Sequence, residues 1–255
     1  MKKLQIGSCF SGIGGLELGL EATGFFETLL QVEVLDLPTE VLEKHWPDVK
    51  RWRDVRTFPP EGDWSCDILV GGFPCQDISI AGKGGGLTGE RSGLFYELLR
   101  IIDLIRPDWI LLENVPAILH RGADEVFRSL AEIGLRDDNP HFRRMESHCF
   151  PASSVGAPHK RERFFLLAHA NLSGLQGHGE MDKPRAICRQ ETLSVFFSRN
   201  RKGFWANEPS VPRISNGFPK RMDRITAIGN AVVPQVAEYL GSEIVSYIND
   251  CSKET

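Results

Sequence analysis

The sequence predicts an α/β fold with a mostly parallel sheet covered by helices. Short apolar runs alternate with longer amphipathic ones through the first half of the chain, which is the pattern of strands joined by crossover helices. Glycine-rich turns follow two of these runs, at 11–15 and 71–72. The chain has 255 residues, 41% of them hydrophobic, which is enough for one large buried core. No apolar run approaches the roughly 20 residues that span a bilayer, so we expect a soluble protein.

Each predicted element has its own local signal. Strands are short leucine- and isoleucine-rich runs that end in glycine or a polar residue, and are predicted at 4–6, 29–32, 67–70, 109–112 and 164–168. Helices carry apolar residues three or four positions apart, and are predicted around 16–20, 41–46, 94–105 and 234–248. Pro107 marks the end of the third helix, and Pro234 suits the first position of the last one.

Residues 169–220 interrupt this regular pattern. They lack periodicity and are rich in Gly, Ser, Asn, Pro and Arg, which is typical of a small irregular lobe. We therefore predict a main domain at 1–168, a short irregular region at 169–220, and a C-terminal segment at 221–255 that packs back onto the main domain.

The charge of the chain is unevenly distributed. The net charge of −4 gives no indication of a nucleic-acid partner. Residues 141–224, however, carry a local charge of +8, and the remainder of the chain carries −12. A basic segment of this kind suits a face that binds a polyanion, although a solvated surface would have the same composition.

The 6 cysteines are scattered, with no C-x-x-C pair and no Cys/His cluster at metal-ligand spacing. No secretory signal is recognisable before them. We therefore predict a cytoplasmic protein with free thiols and no metal site.

A glycine-rich turn and two acidic residues indicate a nucleoside pocket. Residues 9–15 (Cys-Phe-Ser-Gly-Ile-Gly-Gly) form the first strand-to-helix turn, and Glu33 ends the next predicted strand, 21 residues after Gly12. A carboxylate at this place can accept both hydroxyl protons of a ribose, and Asp54 can accept one from an adenine amino group. Because Glu17 breaks the G-x-G-x-x-G pattern, S-adenosylmethionine fits better than NAD. A tight turn without a ligand is the alternative.

Cys75 is the candidate nucleophile. It follows residues 71–74 (Gly-Gly-Phe-Pro) directly after a predicted strand, on a glycine-rich loop that suits a closing lid. The alternative is a small residue at a tight turn. Glu113 ends another strand, while Arg161 and Arg163 stand two apart near the start of the last strand, where both would share one face. Their guanidinium groups would act as donors to a phosphate or a carbonyl oxygen.

Eight short motifs occur in one order along the chain. They are Phe10-Ser11-Gly12-Ile13-Gly14-Gly15, Glu33, Asp54, Gly72-Phe73-Pro74-Cys75-Gln76, Glu90-Arg91-Ser92-Gly93-Leu94, Glu113-Asn114-Val115, Arg161-Glu162-Arg163 and Gly229-Asn230-Ala231-Val232-Val233-Pro234. In order and spacing they resemble the DNA cytosine-5 methyltransferases of bacteria and phages, over nearly the whole chain. The resemblance implies an S-adenosylmethionine-dependent methyltransferase domain of Rossmann-like fold, with residues 169–220 as a short target-recognition region.

The resemblance also implies a reaction. A methyl group would pass from S-adenosylmethionine to carbon 5 of a cytosine flipped out of double-stranded DNA. Cys75 would add covalently to carbon 6, Glu113 would hold N3, and Arg163, with Arg161, would contact the base carbonyl. We expect a monomer that serves a restriction-modification system or phage self-protection.

Two further sets of contacts are expected from the resemblance and the basic segment. Around the cofactor they are Phe10, Ser11, Gly12, Ile13, Gly14, Glu33, Asp54, Val55, Gly72, Pro74, Leu94, Asn230 and Val232. With DNA they are Gln76, Ser79, Lys83, Arg199, Arg201 and Arg213.

Other functions stay open at this point. One eukaryotic branch of the family uses the same motifs on transfer RNA, so an RNA cytosine-5 methyltransferase is the first alternative. A non-catalytic DNA-binding protein with this fold is the second, and a nicotinamide oxidoreductase is a weaker third. The region at 169–220 is short for target recognition, so the recognised DNA sequence cannot be inferred from it.

Overall fold

One mixed sheet organises the residues that the computed structural model describes, which are 2–58, 64–74, 93–134, 142–170 and 229–251. Its strands are β1 (Leu4–Cys9), β2 (Phe26–Val32), β3 (Lys50–Trp52), β4 (Ile68–Gly72), β5 (Trp109–Asn114), β6 (Phe142–Pro151) and β7 (Glu162–Ala170). They lie in the order β3-β2-β1-β4-β5-β7-β6. Within the described ranges, β7 alone runs in the direction opposite to the other strands. The predicted α/β class with a mostly parallel sheet is confirmed.

Helices cover both faces of the sheet. They are α1 (Gly15–Ala22), α2 (Asp36–His45), α3 (Leu94–Ile105), α4 (Ile118–Arg121), α5 (Ala123–Gly134) and α6 (Pro234–Cys251). The apolar sides of α3 and α5 pack on one face, and those of α1 and α6 pack on the other. Each face therefore has its own buried hydrophobic cluster. Among the described helices, none is long and apolar enough to cross a membrane.

The alternation of apolar runs does not predict β3, β6 or α5. β3 has 3 residues, two of them basic, and lies at one edge of the sheet. β6 lies at the other edge and mixes Glu146 and His148 with apolar residues. Edge strands pair on one side only and are often polar, so their apolar signal is weak. α5 does carry Val126, Leu130 and Ile133 at helical spacing, and that signal would have sufficed to predict it.

Helix α6 crosses α1 where α1 has glycine in place of side chains. A Cβ at Gly19 would lie 2.1 Å from the Pro234 carbonyl oxygen and 2.6 Å from the Ala237 Cβ. A Cβ at Gly15 would lie 2.6 Å from the Val232 carbonyl oxygen. These glycines allow a close approach of the two backbones, which brings Val232 to the carboxyl edge of the sheet beside the turn that follows β1.

Replacing Gly19 by alanine should destabilise the fold, because the added methyl group has no space at this crossing. Overpacking of this kind costs about 1–3 kcal/mol, and the free energy of unfolding should fall by about that amount. Gly229→Ala is the matched control, since a Cβ there meets nothing within 4 Å among the described residues. Urea denaturation measures both variants. Equal stabilities would contradict the close approach of α1 and α6.

Candidate active site

A cavity of about 1080 Å³ opens at the carboxyl edge of the sheet. It lies where the strand order reverses between β1 and β4, the place at which open α/β sheets bind their ligands. Its walls come from the segments that follow β1 to β4, from the end of β5, from the start of α3, and from residues 230–232. The volume is sufficient for a nucleoside-sized molecule.

The turn after β1 has an unusual backbone. Phe10 has φ 56°, a left-handed conformation that is costly for a residue with a side chain, and Gly12 has φ 56° as well. Two backbone hydrogen bonds hold the turn: Ser11 N donates to the Val32 carbonyl at 3.2 Å, and Gly14 N donates to the Ser11 carbonyl at 3.0 Å. The surrounding structure thus maintains a strained turn whose backbone forms part of the cavity wall.

Glu33 connects this turn to the segment after β2. One carboxylate oxygen accepts a hydrogen bond from Gly12 N and the other accepts one from Leu35 N, both at 2.8 Å. The side chain lines the cavity and the residue is only 8% exposed. Each carboxylate oxygen has about two acceptor sites, so each can still accept a proton from one hydroxyl of a ribose. The geometry therefore fits the nucleoside pocket predicted from the sequence.

Gly14 lies behind the cavity wall. Its φ is +84°, and a Cβ on it would lie 2.4 Å from the ring of Trp46. Trp46 in turn donates its indole N–H to Glu21 of α1 at 2.9 Å. Gly12 and Gly14 were both predicted to contact the cofactor, and of the two only Gly12 lines the cavity. Because Gly14 has no side chain, α1 can begin next to the ring of Trp46.

Asp54 and two arginines form the rim beyond Glu33. Arg56 pairs with Asp54 at 2.7 Å, and hydrogen bonds from Arg56 keep the pKa of the Asp54 carboxyl below its usual value. Arg53 was missed by sequence reasoning, although it lines the cavity. It donates to the Val34 carbonyl at 2.6 Å and to the Asp36 carboxylate at 2.5 Å, and so holds the segment after β2 in place. Its only sequence signal is its position beside Asp54.

Glu113 and Arg163 form an ion pair at the end of β5. Arg163 Nε lies 2.8 Å from Glu113 Oε1, and both side chains are largely buried. Burial raises the pKa of Glu113 to about 7, although the charges of Arg163 and Arg161 oppose that rise. Near neutral pH the carboxyl group is therefore divided between its protonated and ionised forms, and it can donate or accept a hydrogen bond.

Arg161 stands just before β7, which begins at Glu162. Its guanidinium group acts electrostatically on Glu113, as that of Arg163 does. Burial, with the nearby charge of Arg163, lowers the pKa of Arg161. Two guanidinium groups thus surround one carboxyl group. This arrangement suits a polar ligand that presents an acceptor oxygen to the guanidinium groups.

Asn114 ties the end of β5 to the segment after β4. Its side-chain amide donates to the Phe73 carbonyl at 2.9 Å, and its Oδ1 accepts from Val115 N at 2.8 Å. The side chain is buried, so both bonds are shielded from water. The backbone two residues before Cys75 is therefore anchored beside Glu113. Sequence reasoning assigned no separate task to Asn114, whose signal is its place in the Glu113-Asn114-Val115 motif.

The structure brings most of the predicted cofactor residues together. Those that line the cavity are Phe10, Ser11, Gly12, Ile13, Glu33, Asp54, Val55, Gly72, Pro74, Leu94, Asn230 and Val232, and Glu113 lines it as well. The predicted residues that lie outside the described part of the chain are Cys75, Gln76, Ser79, Lys83, Arg199, Arg201 and Arg213. Among the residues described, no group of three or more His, Cys, Asp or Glu side chains could hold a metal ion.

Comparison with known proteins gives consistent matches. The family model for C-5 cytosine-specific DNA methylases matches residues 4–197. The Type II methyltransferase M2.BsuMI of Bacillus subtilis (strain 168) is 36% identical over 234 residues, which cover 84% of this chain and 56% of that protein. The Type II methyltransferase M.Bsp6I of Bacillus sp. (strain RFL6) is 32% identical over 194 residues, covering 75% of this chain and 61% of that protein. The chain thus spans 56% to 61% of the length of these relatives.

Solved structures share the fold. A putative DNA modification methyltransferase encoded within a prophage of E. coli gives a TM-score of 0.53 at 24% identity, covering 66% of this chain and 47% of that one. A mutant DNMT2 of Spodoptera frugiperda gives a TM-score of 0.52 at 23% identity, covering 72% of this chain and 56% of that one.

Replacing Arg163 by glutamine should raise the pKa of Glu113 above its value of about 7. The guanidinium group that favours the ionised carboxylate is removed, while the burial that favours the neutral acid remains. NMR titration of ¹³C-labelled glutamate carboxyl groups measures this pKa, and Glu113→Gln identifies the resonance. An unchanged or lowered pKa would contradict the electrostatic contact seen in the ion pair.

Replacing Asn114 by alanine should loosen the segment after β4. The Phe73 carbonyl would lose its partner inside the protein, and such a loss costs about 1–3 kcal/mol of stability. Hydrogen exchange of the amides at 70–73 should also become faster. Asn249→Ala, at an exposed position of α6, is the matched control and should change neither quantity. Stability and exchange rates equal to those of the control would contradict the anchoring contact.

Proposed function

This chain belongs to the C-5 cytosine-specific DNA methylase family, and we propose that it transfers a methyl group from S-adenosylmethionine to carbon 5 of cytosine in double-stranded DNA. The observation that carries the proposal is the buried ion pair of Glu113 and Arg163, because its carboxyl group lines the same cavity as Glu33. One cavity thus combines a group suited to a ribose with groups suited to the polar edge of a base.

The residues present fit S-adenosylmethionine. Glu33 still has acceptor capacity for two ribose hydroxyls, since each of its oxygens accepts one backbone N–H. Phe10, Leu94 and Val232 supply apolar surface in the same wall, and Asp54 supplies an acceptor for an adenine amino group. When bound, the cofactor would supply an electrophilic methyl group.

Glu113 and the arginines would hold the cytosine. A carboxyl group with a pKa of about 7 can carry a proton to N3 of the base, or share one with it, at neutral pH. Arg163, with Arg161, would donate to the base carbonyl oxygen and limit the negative charge that builds up when a nucleophile adds to the ring.

Cys75 would supply the nucleophile. Addition of its thiolate to carbon 6, with a proton held at N3, would make carbon 5 nucleophilic. Loss of the proton from carbon 5 after methylation would then expel the thiolate. Cys75 follows Pro74, which lines the cavity, and Phe73, which Asn114 anchors. Along the chain, Cys75 thus directly follows a segment that lines the cavity and is anchored beside Glu113. Because the ring is stacked inside a duplex, the cytosine has to be flipped out first.

Target recognition would rest on the residues that follow β7. The local charge of +8 over residues 141–224 suits the phosphate backbone of DNA. We propose the division predicted from the sequence, in which residues 1–168 bind cofactor and base, 169–220 contact DNA, and 221–255 complete the main domain.

The proposed cellular role is DNA modification in a restriction-modification system or in phage self-protection. The first part of this role is supported by relatives that are named Type II methyltransferases. A monomeric state and a cytoplasmic location stay predictions, and size-exclusion chromatography with light scattering would test the first of them.

Incubation of the protein with DNA and S-adenosylmethionine, followed by bisulfite sequencing, should show methylated cytosines in a defined sequence context. Cys75→Ser should abolish methylation and leave cofactor binding measurable, because a serine hydroxyl is a far weaker nucleophile than a thiolate. Cys251→Ser, at the end of α6, is the matched control and should retain activity.

Two results would contradict the proposal. Unmethylated cytosines in every context, with a folded protein that binds the cofactor, would exclude the DNA reaction. Undiminished methylation by Cys75→Ser would exclude the covalent route. Preferential tritium transfer to transfer RNA over duplex DNA would point to the RNA alternative.

A further inference from the structure

Glu17 is buried beneath the cavity, and no cation lies beside it among the described residues. It lies in the first turn of α1 and is 0% exposed. The Ser8 and Ser11 hydroxyls lie near its carboxyl group and lower its pKa as hydrogen-bond donors, but neither carboxyl oxygen reaches full hydrogen-bond geometry. A buried carboxyl group that only two hydroxyls approach is costly to ionise, and its retention calls for a physical explanation.

A second buried polar group lies on the sheet below α1. Gln31 of β2 is 0% exposed, and both polar atoms of its side-chain amide also lack hydrogen-bond partners. It is the register partner of Ser8 in the neighbouring strand β1. Partners in adjacent parallel strands project to the same face, so Ser8 and Gln31 form one polar site. The Ser8 hydroxyl also acts on the Glu17 carboxyl as a hydrogen-bond donor and lowers its pKa, which joins the acid to this site.

Ser8 connects this buried site to the cavity. The Ser11 hydroxyl donates to Ser8 Oγ at 2.9 Å, and Ser11 lines the cavity. Ser11 belongs to the turn after β1, in which Phe10 and Gly12 have left-handed backbones. The Ser8 and Ser11 hydroxyls both act on the Glu17 carboxyl. Glu17, Ser8 and Ser11 therefore form a chain of polar contacts from the buried helix face to the cavity wall.

The electrostatic surroundings of Glu17 favour its neutral form. Burial raises its pKa to about 7, and the charge of Glu21, one turn later on the same helix, raises it further, while the two serine hydroxyls oppose the rise. On β1, the Cys9 thiol is also within electrostatic reach of Glu17, and burial raises the pKa of that thiol as well. Glu21 is itself well satisfied, since it accepts hydrogen bonds from Thr28 and Trp46.

We propose that Glu17 is a positioning residue for the cofactor: as a neutral acid it supports the Ser8 and Ser11 hydroxyl pair, which holds the turn after β1 in its cofactor-binding conformation, so that ionisation of Glu17 weakens cofactor binding. This inference rests on the proposed function, since it assumes that the cavity binds S-adenosylmethionine.

The protonation state of Glu17 determines what it can do for this turn. A neutral carboxyl group has one O–H donor, which Ser8 Oγ can accept, and it needs no counter-charge. An ionised carboxylate at the same place has no cation beside it among the described groups, and only the two serine hydroxyls can donate to it. Both hydroxyls would then turn their protons toward the charge, and Ser11 would no longer donate to Ser8 Oγ. This change would displace Ser8 and Ser11 and relax the strained turn.

The direction of the pH effect follows from this. The folded state holds the Glu17 proton more tightly than the unfolded chain, where the pKa is near 4.5. The stability that this proton contributes is fully present at low pH and is lost as the pH rises through about 7. Cofactor affinity should fall as the pH rises beyond this value, by up to about ten-fold for each pH unit above the pKa of the free protein.

The test measures the affinity for S-adenosylhomocysteine between pH 6 and pH 8 by equilibrium dialysis. Wild type should bind about ten-fold more weakly at pH 8 than at pH 6. Glu17→Gln keeps the shape of the side chain without an ionisable group, and its affinity should stay near the wild-type pH 6 value throughout. Glu43→Gln makes the same change at an exposed position of α2 and should behave as wild type. Because Glu113 titrates in the same range and lines the cavity, Glu113→Gln is measured beside Glu17→Gln.

If Glu17→Gln folds poorly, two further measurements examine the same contacts. Ser8→Ala breaks the polar chain without removing the acid, and should show weak binding that varies little with pH. Hydrogen exchange at pH 8 should be faster in the amides of 10–15 in wild type than in Glu17→Gln, measured without cofactor.

The outcomes separate the two proposals. A pH dependence that persists in Glu17→Gln, above all one that disappears in Glu113→Gln, would overturn the role of Glu17. Wild-type affinity and pH dependence in Ser8→Ala would overturn it as well. Absence of binding at every pH in a folded wild-type protein would instead overturn the cofactor assignment itself.

Discussion

The close approach of α1 and α6 is the contact on which the cavity depends. Because Gly15 and Gly19 have no side chains, the Val232 and Pro234 carbonyl groups reach the backbone of α1. This contact joins the two ends of the described chain. It holds α1 and the turn before it against residues 230–232, so that both segments line the cavity beside each other. A side chain at the crossing would separate these two segments of the wall.

Three buried glutamates at this edge have different partners, and their chemistry differs accordingly. Glu33 accepts backbone N–H groups from both sides and presents its remaining acceptor sites to the cavity. Glu113 faces Arg163, and the ion pair offsets part of the penalty of burial without removing it. Glu17 has no cation beside it among the described residues, and burial, with the charge of Glu21, favours its neutral form. The same residue type therefore serves as a hydrogen-bond acceptor at Glu33, as a group that is partly protonated near neutral pH at Glu113, and as a neutral hydrogen-bond donor at Glu17.

The central sheet and much of the cavity could be predicted from the sequence. Inner strands such as β4 and β5 are buried on both faces and have continuous apolar runs, while β3 and β6 at the edges do not. Glu33 could be found because its distance from Gly12 is short along the chain. Arg53, Asn114 and the environment of Glu17 could not be found in this way. Asn114 and Phe73, for example, are 41 residues apart, and only the parallel pairing of β4 and β5 brings them together.

Residues 72–74, which precede Cys75 in the chain, are held in place by contacts with both β5 and α3. A Cβ at Gly72 would lie 3.0 Å from Glu113 Oε2, the Phe73 carbonyl is bound by Asn114, and Pro74 lines the cavity. The Phe73 ring also packs against Phe95 of α3, with 5.0 Å between the ring centroids. The segment is therefore held by β5 on one side and by α3 on the other. Since consecutive Cα atoms are about 3.8 Å apart, Cys75 starts from a point that the strand bearing Glu113 determines. A shift of β5 would move the Glu113 carboxyl group, proposed to bind the base, together with Pro74, to which the proposed nucleophile Cys75 is joined, so β5 determines the spacing of these two points.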